Sequence, residues 1–149
     1  KMKTFVVKVP AGIRNQEKIR LIGQGKAGIN GGKNGDLFIK VNIQNSKRFR
    51  LEGIDLYTDL RLTPWEAALG TRATIDTIDD TASVYVPKGI ESGEKVRIQG
   101  KGYKDGKGGR GDLIAEVKII VPKELTTEEE KLYKELEQIS SFNPRKRAN

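Results

Sequence analysis

Val9-Pro10-Ala11-Gly12-Ile13 recurs 77 residues later as Val86-Pro87-Lys88-Gly89-Ile90. At the same spacing Glu17-Lys18-Ile19-Arg20-Leu21 matches Glu94-Lys95-Val96-Arg97-Ile98, and Gly23 and Gly25 match Gly100 and Gly102. One residue is then dropped. Gly35-Asp36-Leu37 matches Gly111-Asp112-Leu113 at a spacing of 76, and Val41 and Ile43 match Val117 and Ile119. So many identities in register mark a duplicated unit, and the same turns and apolar faces are expected twice. The copies are unequal. The second is preceded by residues 54–78, which read as two strands joined by a helical turn, and the first has no counterpart to them. The chain is therefore expected to be a piece of a longer protein that begins inside its first repeat.

The repeat reads as β structure. In Phe5-Val6-Val7-Lys8-Val9 the odd positions share an apolar face, the period of a strand. Pro10-Ala11-Gly12 and Pro87-Lys88-Gly89 supply turns. Leu37, Ile39, Val41 and Ile43 alternate with Phe38, Lys40 and Asn42, and Leu113, Ala115, Val117 and Ile119 repeat the face. Between the repeats, Ile54, Leu56, Leu60 and Leu62 fit a strand. Thr63-Pro64-Trp65-Glu66-Ala67-Ala68-Leu69-Gly70 then predicts a short helix with Thr63 as cap, Pro64 at its first position and Gly70 ending it. Ala73, Ile75 and Thr77 share one face of the next strand.

After Pro122 the pattern changes. Thr127-Glu128-Glu129-Glu130 predicts a capping-box helix start with acids at the positive end of the dipole. Leu132, Leu136 and Ile139 recur at helical spacing with Tyr133 beside them, and Asn143-Pro144 stops the helix. Arg145-Lys146-Arg147 reads as a disordered basic tail. The expected division is 1–46 for a truncated first domain, 47–122 for a complete second domain, and 123–149 for a helix and tail.

Composition removes whole classes of chemistry. The 149 residues include no Cys and no His, so thiol nucleophiles, Cys-based metal centres and Ser-His-Asp triads are excluded. No apolar run approaches the length of a membrane span. The net charge of +8 leaves nucleic acid, anionic membrane or an acidic protein segment as electrostatic partners. Gly23-Gln24-Gly25-Lys26-Ala27-Gly28 matches G-x-G-x-x-G, but residues 29–35 cannot open the helix that a dinucleotide site needs. The two Gly/Lys loops can be read as phosphate cradles or as solvated connections between strands, and the second reading is preferred. Asp79-Asp80 reads as a turn. No residue is assigned a catalytic role, and no cofactor or metal is expected.

The paired V-P-x-G-I turns, each followed by E-K-[IV]-R-[LI] and a G-x-G loop closing in G-D-L, resemble the C-terminal region of the DnaJ family of co-chaperones. So do Asp55-Leu56-Tyr57 and Pro64-Trp65-Glu66-Ala67-Ala68-Leu69-Gly70. The resemblance covers nearly the whole chain and points to a zinc-free or curved-DNA-binding-like branch. A fragment that starts downstream of a zinc module fits the absence of Cys equally. The resemblance implies a mostly β fold of tandem small sandwich or barrel-like peptide-binding domains, with a short internal helix and a C-terminal helix. It also implies capture of unfolded polypeptides, delivery to a DnaK-type chaperone, and a cytoplasmic location. The J domain with its H-P-D tripeptide is expected to lie outside a chain without His.

By the same resemblance, Ile39 corresponds to a groove-lining position of the first domain. Through the repeat, Thr58, Leu60, Ile75, Thr77 and Ala115 correspond to a shallower groove in the second. Leu132, Tyr133, Leu136, Ile139 and Phe142 would form a homodimer contact. Lys1, Lys3 and Lys8 are candidates for binding the acidic tail of the partner chaperone. The competing expectation, motivated by the charge and the basic tail, is a DNA-binding module.

Overall fold

A computed structural model describes Met2 and residues 4–146. Lys1, Lys3 and Arg147 lie outside the described residues, and with them those parts of the expectations for the acidic-tail site and the basic tail. Two compact units are present, Lys1–Ile119 and Ile120–Asn149.

The first unit holds all the strands. β1 (Lys18–Leu21) and β2 (Leu37–Lys40) form an antiparallel ribbon. β3 (Arg50–Glu52), β4 (Asp55–Leu62), β7 (Lys95–Ile98) and β8 (Leu113–Ile119) form a mixed sheet in the order β3-β4-β8-β7, with β4 and β8 parallel. β5 (Thr71–Asp76) and β6 (Thr81–Val86) form a second ribbon. The short helix α1 (Pro64–Leu69) joins β4 to β5. The expected mostly β architecture with one internal and one C-terminal helix is thus the one the chain adopts.

The duplication is visible hydrogen bond by hydrogen bond. β1 pairs Ile19 with Ile39 and Leu21 with Leu37, and β7 pairs Val96 with Ala115 and Ile98 with Leu113, the same register moved along the repeat. Gly23 N–H donates to Asp36 Oδ1 at 2.8 Å, and Gly100 N–H donates to Asp112 Oδ1 at 2.9 Å. Arg20 then pairs with Asp36, and Arg97 with Asp112. In each copy the amide of the second loop glycine bonds across the loop at 2.8 Å, Gly25 to the Gly35 carbonyl and Gly102 to the Gly111 carbonyl. These loops are closed hairpins that run into β2 and β8, and neither opens the helix whose N-terminus a dinucleotide site needs.

Only the second copy has its full complement of strands. Its core gathers Leu56, Leu60 and Leu62 of β4, Ile75 of β5, Val84 and Val86 of β6, and Leu113, Ala115 and Val117 of β8. Leu113, Val86 and Val117 are completely enclosed. In the first copy, residues 5–9 correspond to β6 but form no strand, contrary to the alternation in the sequence. Among the described residues nothing corresponds to β5, and a strand without a ladder partner leaves its amides to water. Val6 is accordingly 99% exposed.

The two copies are tied together within this unit. Tyr103 Oη donates to the Ile13 carbonyl at 2.7 Å, and Ile13 is buried. Gly12, at φ +82°, lies so close to Asp105 and Gly106 that a Cβ there would sit 2.3 Å from their backbone.

The second unit carries α2 (Thr127–Ile139). Its cap is Thr126, one residue before the expected Thr127. Glu129 N–H donates to Thr126 Oγ1 at 3.1 Å and Thr126 N–H donates back to Glu129 Oε1 at 2.8 Å. Thr127 with Glu130 fits the same sequence rule, but Glu130 is paired with Lys134 one turn on. Beyond the helix, Arg145 and Lys146 lie in a turn closed by hydrogen bonds to Asn143.

Candidate functional site

The geometry of α1 creates the cleft. Thr63 caps the helix reciprocally with Glu66, Pro64 occupies its first turn, and the Gly89 amide reaches the Ala67 carbonyl at 2.8 Å. Gly70 ends the helix at φ +82°, where a side chain would press on Lys88 and Val86. The chain therefore leaves β4, turns through α1 and returns as β5 in a separate ribbon. β3 covers β4 only along Asp55–Tyr57, and β5 pairs only with β6. Among the described residues, residues 58–62 of β4 are therefore paired on the β8 side alone and β5 on the β6 side alone, which leaves one edge of each strand open.

A cleft of about 290 Å³ lies between these strands. Leu60, 3% exposed, and Ile75, 8% exposed, form its apolar floor, with Thr58 and Thr74 beside them. Its outer wall comes from the connection between the repeats, residues 47–49. Arg48 pairs with Asp76 at 2.9 Å across the cleft and stands 5.3 Å from the Phe49 ring centre.

The residues expected from the resemblance fall into two groups. Thr58, Leu60 and Ile75 meet in the cleft. Ile39, Thr77 and Ala115 do not. Ile39 is half-buried opposite Ile19 in the first ribbon. Thr77 is buried with its hydroxyl bonded to Asp80, closing the turn between β5 and β6. Ala115 is fully buried between Val96 and Thr58 in the sheet, so it is core beneath the cleft. Strand periodicity assigned these residues a face, and a face does not tell floor from lining. Lys47, Arg48, Phe49 and Asp76 were missed because a connection between repeats carries no periodic signal.

In the second unit the expected contact residues are open. Leu132, Leu136 and Ile139 are exposed along α2, Phe142 lies beyond its end and is also exposed, and Tyr133 is half-buried.

The basic loops divide by charge partner. In the second repeat Lys101 pairs with Asp80 at 3.0 Å and Arg110 with Asp79 at 2.6 Å, pinning the Gly loop to the β5–β6 turn. In the first repeat Lys26 and Lys33 have no acidic partner among the described residues. Residues 1–46 hold nine Lys and Arg against two acids, residues 47–122 hold 13 against 12, and residues 123–149 six against six. Almost all of the net charge therefore belongs to the first repeat.

The profile of the DnaJ C terminal domain matches residues 1–122. The chain belongs to the DnaJ C-terminal domain family. Curved DNA-binding proteins of Pseudomonas putida (strain W619) and Pseudomonas syringae pv. tomato are each 40% identical to it over 143 residues, 96% of this chain. The protein of that name from Coxiella burnetii (strain Dugway 5J108-111) is 36% identical over 146 residues. The chain spans 45–46% of the length of these relatives. This DnaJ C-terminal domain carries both repeats inside the matched span, and α2 follows it. No helix among the described residues is long and apolar enough to cross a membrane.

Proposed function

We propose that this DnaJ C-terminal domain is a non-enzymatic peptide-capturing module that takes an extended apolar segment into the cleft between β4 and β5. The observation that carries this reading is the combination of two strand edges, each open on one side, with an apolar floor of Leu60 and Ile75. An extended segment there gains main-chain hydrogen bonds from a strand edge and buries alternate side chains. Such bonds read backbone, so recognition is broad. In the whole protein the captured segment passes to a DnaK-type chaperone, and α2 joins two copies in the cytoplasm.

A second reading, DNA binding, is favoured by the charge carried in the first repeat and by the names of the relatives. Salt separates the two. A fluorescein-labelled uncharged nonapeptide of Leu, Val and Ser and an A/T-rich duplex are titrated at roughly 50 and 200 mM salt. Peptide affinity is expected to hold nearly constant. Duplex affinity, where it depends on several phosphate contacts, falls by orders of magnitude. A duplex that binds while the peptide does not would replace the first reading by the second.

A further inference from the structure

The cleft has a charge pattern that its apolar floor conceals. Two acids border it, and both are engaged. Asp76 is held by Arg48, and Asp59 lies between Arg50 at 3.5 Å and Lys118 at 3.6 Å. Three bases border it, and only Arg48 has an acidic partner. Lys47 on the outer wall and Arg61 on β4 are exposed and have none among the described residues. The uncompensated charge around the floor is therefore positive.

Resting on the peptide-capture reading above, we propose that this cleft selects segments in which an apolar centre is flanked by acidic side chains, with Lys47 and Arg61 as the residues that read the flanks. The apolar centre covers Leu60 and Ile75, which carry no charge preference. Carboxylates on either side then meet Lys47 and Arg61 in a half-open site, where opposite charges attract more strongly than in bulk water. Arg48 strengthens the same selection, since an arriving carboxylate competes with Asp76 for its guanidinium. Basic flanks meet like charge and are disfavoured. This selection is local to the second repeat and independent of the larger positive charge on the first.

The test uses the full chain and three labelled nonapeptides with one Leu-Val-Leu centre, flanked on both sides by Glu, Gln or Lys. Anisotropy titrations are expected to give affinity in the order Glu, Gln, Lys, with steps of about two- to fivefold for exposed charge contacts. The double variant Lys47→Glu, Arg61→Glu is expected to invert the order. The double variant Lys26→Glu, Lys33→Glu, in the loop of the first repeat, is expected to leave it intact. If the Gln peptide binds and the three peptides do not differ, selection is refuted and capture stands. An order that survives in the cleft variant but disappears in the loop variant places the preference on the first repeat and overturns the proposal. Failure of all three peptides to bind overturns both readings.

Discussion

Single residues fix the two Gly loops, and they do so through aspartates that must stay ionised. Backbone hydrogen bonds from Gly23 to Asp36 and from Gly100 to Asp112, then the Arg20 and Arg97 side chains, hold both carboxyls below the ordinary aspartate value. The hydroxyl of Thr77 and then Lys101 do the same for Asp80, and the Lys107 and Gly109 amides for Asp105. A carboxyl with a depressed folded-state pKa contributes stability that is present above its unfolded value and lost as pH falls through the folded one. Urea midpoints should therefore be level near neutral pH and fall below about pH 4. Asp112→Asn keeps an acceptor for Gly100 but removes one titrating group, so its midpoint should be lower at neutral pH and decline less steeply in acid. An acid slope identical to that of the parent chain would show that Asp112 is not among the groups responsible. The sequence marks these aspartates only as the D of two G-D-L repeats. What Asp36 and Asp112 bind follows from loop closure, which spacing alone does not describe.

At the scale of elements, most of the local signals act as written. The Thr63 cap, Pro64 and Gly70 bound α1 where the sequence places them, and the alternation of residues 113–119 becomes β8. The misses have physical causes. Residues 5–9 alternate as a strand should, yet a strand exists only with a partner, so they remain outside any ladder. The start of α2 shifts by one residue because two overlapping Thr-x-x-Glu boxes compete. For the cleft, Thr58, Leu60 and Ile75 were legible only through the family resemblance carried over the repeat, and the wall formed by residues 47–49 was not. α2 itself leaves Leu132, Leu136 and Ile139 exposed in one stripe, an arrangement suited to a partner helix or surface. Leu136→Asp is expected to convert dimers to monomers in sedimentation velocity at micromolar concentration. A dimer peak unchanged by the substitution would remove α2 from the interface.

Across the whole molecule, duplication has produced two units of the same design with different charge. The second repeat pairs Lys101 and Arg110 of its basic loop with Asp80 and Asp79 and keeps a nearly balanced composition. The first repeat keeps its basic residues largely uncompensated, and the Tyr103–Ile13 hydrogen bond holds it against the second. In the proposed reading peptide capture falls to the cleft between β4 and β5, while the uncompensated positive charge lies on the first repeat. Peptide capture as proposed requires that the cleft hold the peptide. Thr58→Arg places a long charged side chain at the cleft floor without touching the first repeat. In anisotropy titrations with the uncharged Leu, Val and Ser nonapeptide, it is expected to weaken binding by about tenfold or more, while the circular dichroism spectrum and duplex affinity stay at parental values. Parental peptide affinity in a folded Thr58→Arg variant would mean that the peptide binds elsewhere than in the cleft.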